Sequence, residues 1–212
     1  MRHAPREEHL HADHVAGLSG VLRGRSVGAI ETTALAEPAD QAEAVRRRAA
    51  AHGVPVRRAA AGEQRRSGPL SWQVLWPPPS PPTTAAPGTE GGPNDASVTL
   101  LVRTAGLRLL LLGDLEPPAQ RALARSPAAA GLHGVDVLKV AHHGSAHQDF
   151  ALIRHVAPRL ALISCGEDNS YGHPAPDTVA ALRAQGATVL RTDRDGALAV
   201  AGTGRELRVA GD

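Results

Sequence analysis

Short apolar runs alternate with helix-spaced stretches along most of this chain. Residues 97–103 and 107–112 read as two strands joined by a tight Ala105-Gly106 turn. Residues 135–140 and 159–164 are continuous apolar runs of the kind buried on both faces of a sheet. Further short strands are expected at 54–58, 72–76, 189–192 and 198–201. Between them lie amphipathic stretches at 41–52, closed by Gly53; at 116–125; at 150–156, stopped by Pro158; and at 177–185, with Pro176 at the start and Gly186 at the stop. Residues 14–22 read as a loop entering a helix. Residues 77–93 are rich in Pro, Gly and Thr without periodicity, which predicts a mobile loop. There is no internal repeat. The alternation predicts one α/β domain over residues 1–212, with sheet inside and helices outside.

Composition narrows the chemistry. The 212 residues are 42% hydrophobic but only 2% aromatic, so the core must be built from Ala, Leu and Val. The formal net charge is +2 and Lys139 is the only lysine; such a weak basic excess permits nucleic-acid binding without arguing for it. A single cysteine, Cys165, rules out intramolecular disulfides and any zinc site built on several cysteines. Eleven histidines are the first hint of metal chemistry. The first eight residues are polar and lack the apolar stretch of a signal peptide, and no run is long enough to span a bilayer, so the chain as given is expected to be soluble.

Four motifs carry candidate chemistry. His9-Leu10-His11-Ala12-Asp13-His14 packs four potential ligands into six residues. In extended backbone His9 and His11 point the same way, while Asp13 and His14 follow where the chain turns into a helix and can address a second ion. Imidazole with carboxylate suits Zn²⁺ or Mn²⁺. In Leu109-Leu110-Leu111-Leu112-Gly113-Asp114, an apolar strand delivers a carboxylate at its end, and Gly113 allows close backbone approach. A helix N-cap is the competing reading of Asp114. Val137 to Val140 is a strand leading into His142-His143-Gly144-Ser145. Adjacent strand residues face opposite ways, so one histidine should ligate while the other acts on substrate or behind the ligands. His143 is favoured as the ligand and His142 as the substrate-facing or proton-transfer group. His173, in Asn169-Ser170-Tyr171-Gly172-His173-Pro174, sits in a loop after a strand, either facing the same site or incidental to a turn. Asn94-Asp95-Ala96-Ser97 is balanced between lining the site and capping a turn.

His-x-His-x-Asp-His resembles the metal motif of the metallo-β-lactamase superfamily. Together with Gly113-Asp114, His142-His143-Gly144-Ser145, Tyr171-Gly172-His173-Pro174 and residues 191–196, the order resembles the hydrolase domain of the ComEC competence family over nearly the whole chain. The resemblance implies an αββα sandwich, a site for two divalent metal ions (Zn²⁺ or Mn²⁺), and nuclease-like hydrolysis of a phosphodiester, with DNA as partner. It implies that Asp114 bridges the metals and that His173 faces the active site. In that family the domain is thought to degrade the DNA strand that is not imported, beside a membrane channel domain.

The family carries an N-terminal strand pair with an Asp-Val-Gly-Gln-Gly-Asp-like stretch before the histidine motif; only eight residues precede His9 here. The expectation is therefore a sandwich lacking its N-terminal strands, with an exposed sheet edge. It also suggests a fragment or a misplaced start, membrane-associated if part of a full-length protein. The expected site places His9 and His11 on one ion and Asp13, His14 and His143 on the other. Asp114 bridges, and Asp13, Asp114, His142 and His173 form the catalytic set. Few aromatics imply little base stacking and weak sequence preference. The rival readings are a small-molecule phosphodiesterase or lactonase on the same metals, and an inactive fragment that binds metal or DNA.

Overall fold

A computed structural model describes residues 12–79, 93–204 and 206–211. His9, His11 and most of the 77–93 loop lie outside the described residues. The first part runs α1 (Ala12–Val15), α2 (Leu18–Leu22), β1 (Ile30–Thr32), α3 (Ala39–Ala51), β2 (Val56–Arg58), β3 (Gln64–Ser67) and β4 (Leu70–Trp76). Then come β5 (Thr99–Thr104), β6 (Leu107–Leu111), α4 (Pro117–Arg125), β7 (Val137–Lys139), α5 (Phe150–Val156), β8 (Leu160–Ile163), α6 (Pro176–Ala184) and β9 (Thr188–Arg191). A short α7 (Thr192–Asp195) leads into the hairpin β10 (Leu198–Thr203) and β11 (Glu206–Gly211).

Local chemistry sets these boundaries. The β5–β6 turn uses Ala105 and Gly106, both at positive φ, which matches the twist of a two-residue hairpin. Proline opens α4 and α6, where the missing N–H is one the helix leaves unbonded anyway. The Asp149 side chain caps α5, accepting from Ala151 N at 2.8 Å and Leu152 N at 3.0 Å.

Seven strands form one mixed sheet in the order β3-β4-β5-β6-β7-β8-β9. The β3 to β6 half is an antiparallel meander, and β6 to β9 are parallel with α4, α5 and α6 in the crossovers. Two separate pairs accompany it, β1 with β2 in parallel and β10 with β11 antiparallel. This is the expected α/β class. Strand register lines up Leu101, Leu110, Leu138, Ala161 and Val189 across five neighbouring strands. This row belongs to one apolar core with Leu115 and Leu123 of the α4 region, Leu152 and Val156 of α5, and Leu182 of α6. A smaller cluster, Leu22, Ala49 and Val54, sits under α2 and α3. No helix among the described residues is long and apolar enough to cross a membrane.

Strand direction decides what meets at the end of the sheet. The parallel strands β6, β7 and β8 all end at one rim, so Gly113-Asp114, His142-His143 and Ser164-Cys165 emerge together. Because β5 runs antiparallel to β6, the 3₁₀ turn Pro93–Ala96 that feeds it lies at the same rim. In open α/β sheets that rim is where ligands bind.

Candidate metal centre

Asp114 follows β6 and is 3% exposed. Its backbone N–H donates to Ser97 Oγ at 3.0 Å. The N-cap position of α4 is Glu116, not Asp114. The Asp114 carboxylate instead meets His14 Nε2 at 3.0 Å and His143 Nε2 at 3.3 Å through Oδ2, and Lys139 Nζ at 3.5 Å through Oδ1. Burial alone would push the Asp114 carboxyl up. Hydrogen bonds from His14 and His143 and the Lys139 charge outweigh that and hold it far below the usual carboxylate range. Burial lowers the Lys139 ammonium, with Asp114 opposing. Its Nζ also donates to Gly113 O at 3.2 Å, bracing the turn that presents Asp114.

Asp13, His14 and His143 each offer one ligand atom, all within 4.8 Å of one another. Asp13 Oδ2 is 3.2 Å from His143 Nε2 and 3.6 Å from His14 Nε2. His143 Nδ1 lies 2.7 Å from Ser164 O, and a carbonyl only accepts. The proton of a neutral His143 is therefore on Nδ1, and the Nε2 lone pair faces the carboxylates, the tautomer a metal requires. Without an ion there, the hydrogen bond to Asp114 raises the His143 imidazole pKa despite burial. Asp114 Oδ1 is buried and accepts no hydrogen bond, although Lys139 Nζ stands 3.5 Å away. Two imidazoles and two carboxylates whose ligand atoms converge in this way fit a divalent cation. A cleft of about 430 Å³ opens beside them, walled by Asp13, His14, Leu18, Val21, Ser97 and Asp114 among others.

His142 turns elsewhere, but not by strand alternation. The two histidines sit in the 3₁₀ turn Ala141–Gly144, both left-handed, at φ 46° and φ 50°. Non-glycine residues hold such a conformation only when their surroundings fix it. Here a buried polar network does so. His142 N donates to Gly113 O, Gln148 Nε2 to Ala141 O, and Thr178 Oγ1 to Ser145 O. Gln120, fully buried, binds Leu115 O, Gln148 Oε1 and Asp149 N.

A second group lies beside the first. Glu116 Oε1 accepts from Asn94 Nδ2 at 3.1 Å and stands 3.5 Å from His142 Nδ1. Asn94 Nδ2 and His142 Nδ1 are also 3.5 Å apart. With its proton on Nδ1 the ring donates to Glu116, and with its proton on Nε2 the Nδ1 lone pair can accept from Asn94. The hydrogen bond with His142 and that from Asn94 lower the Glu116 carboxyl pKa against its burial. Desolvation raises neighbouring Asp95 to about 6. His173 is not in the cation cluster; its ring meets that of His142 edge-on at 5.5 Å and stacks with Tyr171 at 6.0 Å.

Thus Asp13, His14, Asp114 and His143 come together, His142 and His173 form a neighbouring pair, and His9 and His11 lie outside the described residues. Sequence reasoning passed over Glu116, taken only as a helix start, and Lys139. The signal available was an acidic residue at a proline-opened helix two positions past Asp114. The supporting carbonyl of Ser164 has no sequence signature at all.

Fold and site define an α/β protein with a histidine–carboxylate cluster that could hold a cation at the carboxyl ends of its parallel strands. No family model matches the chain. It is similar to ComE operon protein 3 of Bacillus subtilis (strain 168), 30% identical over 195 residues that make up 90% of this chain and 23% of that protein. It is also similar to competence protein ComA of Neisseria gonorrhoeae, 35% identical over 110 residues, 50% of this chain and 15% of that protein. The chain thus spans a quarter or less of these relatives' lengths, and both likenesses point to the competence-protein family.

Proposed function

We propose that this chain is a metal-dependent phosphodiester hydrolase acting on DNA in competence, with the αββα sandwich of the metallo-β-lactamase superfamily. The observation that carries the reading is the convergence of His14 Nε2, His143 Nε2 and the Asp13 and Asp114 carboxylates at one sheet rim, with Ser164 O holding His143 in the ligating tautomer. The likeness to two competence proteins supports a role in DNA uptake, which favours DNA as the substrate.

Asp13, His14, Asp114 and His143 would hold one Zn²⁺ or Mn²⁺, and His9 and His11 would serve the second. Bound there, such ions make water acidic near neutral pH and offset charge building on phosphorus. The chain's own groups do the rest. Glu116, itself held by Asn94, would fix His142 with Nδ1–H inward, so that Nε2 takes the proton of the attacking water and returns it to the leaving oxygen as the P–O bond breaks. His173 supports the His142 ring from the side. A smaller substrate, a phosphodiester or lactone, is favoured by one observation only, the about 430 Å³ cleft with its apolar Leu18 and Val21 wall.

The test uses the full chain, stripped with chelator and titrated with Zn²⁺ or Mn²⁺. Expected are close to two equivalents bound, metal-dependent cleavage of single-stranded DNA of any sequence, and binding that falls steeply with salt. Asp114→Asn should abolish metal uptake and cleavage together. Folded protein that takes up no metal at micromolar concentration refutes the centre. Metal uptake with DNA left intact and a chromogenic phosphodiester cleaved transfers the site to the small-substrate reading. Metal uptake with neither substrate cleaved leaves a binding protein.

A further inference from the structure

Tyr171 is the only tyrosine in a chain with 2% aromatic residues, and it is 66% exposed. The loop that carries it does not depend on its hydroxyl or backbone for closure. That loop is closed by Asn169, whose Oδ1 accepts from His173 N at 2.9 Å and whose Nδ2 donates to His173 O and Gly166 O. Yet the ring is held in a definite place. It stacks on His173 at 6.0 Å with an interplanar angle of 21°, His173 meets His142 at 5.5 Å, and His142 meets His143 of the cation cluster at 6.3 Å. Four rings thus step from the surface to the place where a phosphate would react. The cleft on the other side of the cluster takes none of its lining from His142, His173 or Tyr171.

An aromatic face presented to solvent, backed by a second ring and a short reach from a phosphate site, has the chemistry of a nucleobase platform. Stacking tolerates any base because every base has a π-face. We infer that Tyr171 stacks a nucleobase of the nucleic-acid strand adjoining the scissile phosphate, with His173 as the backing ring. The inference rests on the proposed nuclease reading and makes the substrate a base-bearing single strand rather than a bare phosphodiester. It also amends the expectation from composition: one well-placed aromatic suffices where the rest of the chain has almost none.

The experiment measures equilibrium binding of the full chain with Mn²⁺ to a short oligothymidylate. The comparison ligand is an abasic oligomer of the same length and charge, and low temperature limits turnover. The unaltered protein should bind the base-bearing strand more tightly. Tyr171→Ala should lose about 5- to 150-fold on oligothymidylate, the equivalent of the about 1–3 kcal/mol that base–aromatic stacking contributes. Its affinity for the abasic strand should stay unchanged, which also shows that the variant is folded. Tyr171→Trp should restore the preference. Equal affinity of Tyr171→Ala and the unaltered protein for oligothymidylate overturns the inference while leaving the nuclease reading intact. An unaltered protein that binds neither strand overturns the nucleic-acid reading and this inference with it.

Discussion

Gly113 ties the fold to the candidate centre, and replacing it with alanine separates two costs. Gly113 sits at φ +60° between β6 and Asp114. A side chain in that left-handed region costs about 1–2 kcal/mol. An added Cβ would also lie 2.8 Å from Ser97 Cβ and 3.2 Å from Ser97 Oγ, closer than packed carbons sit. Overpacking of this kind costs about 1–3 kcal/mol. Together the expected loss is about 2–5 kcal/mol, large beside a typical net stability of about 5–15 kcal/mol but not enough to unfold an ordinary domain. Gly134 supplies the reference, with φ +64° and nothing within 4 Å of its would-be Cβ. Gly134→Ala should cost only the backbone share, about 1–2 kcal/mol. Urea denaturation of the two variants therefore reads the crowding as a difference. Ser97 can relieve the crowding only by moving away, which breaks its bond to Asp114 N, and Gly113 O also anchors His142 N and Lys139 Nζ. Calorimetric titration with Zn²⁺ should accordingly show weaker binding to Gly113→Ala and unchanged binding to Gly134→Ala. Equal stability losses in the two variants, or unaltered metal affinity in Gly113→Ala, would refute the reasoning.

Gln120→Leu keeps volume but strands Leu115 O, Gln148 Oε1 and Asp149 N; at about 1–3 kcal/mol for each buried polar group left unmet, denaturation should show a loss of about 3–9 kcal/mol, and a loss under 1 kcal/mol would mean water replaces the amide. Asp95 is raised from 3.8 to about 6 by burial. Its protonated form favours folding, and that contribution is complete below pH 3.8 and disappears as pH rises through 6. Asp95→Asn, whose amide oxygen can still accept from Glu116 N, should gain on the parent across that window and level off about 1–2 kcal/mol more stable above it, allowing for partial exposure; parallel stability curves would count against it. Glu116→Ala should move the His142 proton from Nδ1 to Nε2, seen in nitrogen NMR, and slow hydrolysis about 10²-fold, with Glu116→Gln retaining most of both; an unchanged His142 spectrum would remove Glu116 from its positioning role.

The central strands were legible because a buried parallel strand can hardly be anything but apolar, as Val137 to Val140 and Leu160 to Ile163 are. Three strands passed unseen, β1, β3 and β11. β3, Gln64–Ser67, is an Arg-rich sheet edge, and polar charge on an edge discourages pairing with other chains while erasing the apolar alternation that marks a strand. Among the described residues β11 pairs with β10 alone; its Glu206 to Val209 alternation is short, and its side chains stay largely exposed. At the site, Asp114 and His143 stood out because apolar runs end in ligating side chains. The orientation of the two histidines did not follow from the sequence, because paired left-handed residues come from tertiary bonds to Gly113, Gln148 and Thr178 rather than from any local preference.

The one-sided placement of the centre also makes the molecule practical to handle. Because β3 and β4 run antiparallel, the Gly68-Pro69 turn lies at the opposite rim of the sheet from Asp114 and His143, beside an edge strand whose side chains are largely exposed. A tether, affinity peptide or fluorophore inserted at that turn would leave the rim that carries Asp114 and His143 facing away from its attachment. Single molecules anchored there would present Tyr171 and the cation cluster to a stretched DNA strand without obstruction from the surface that holds them.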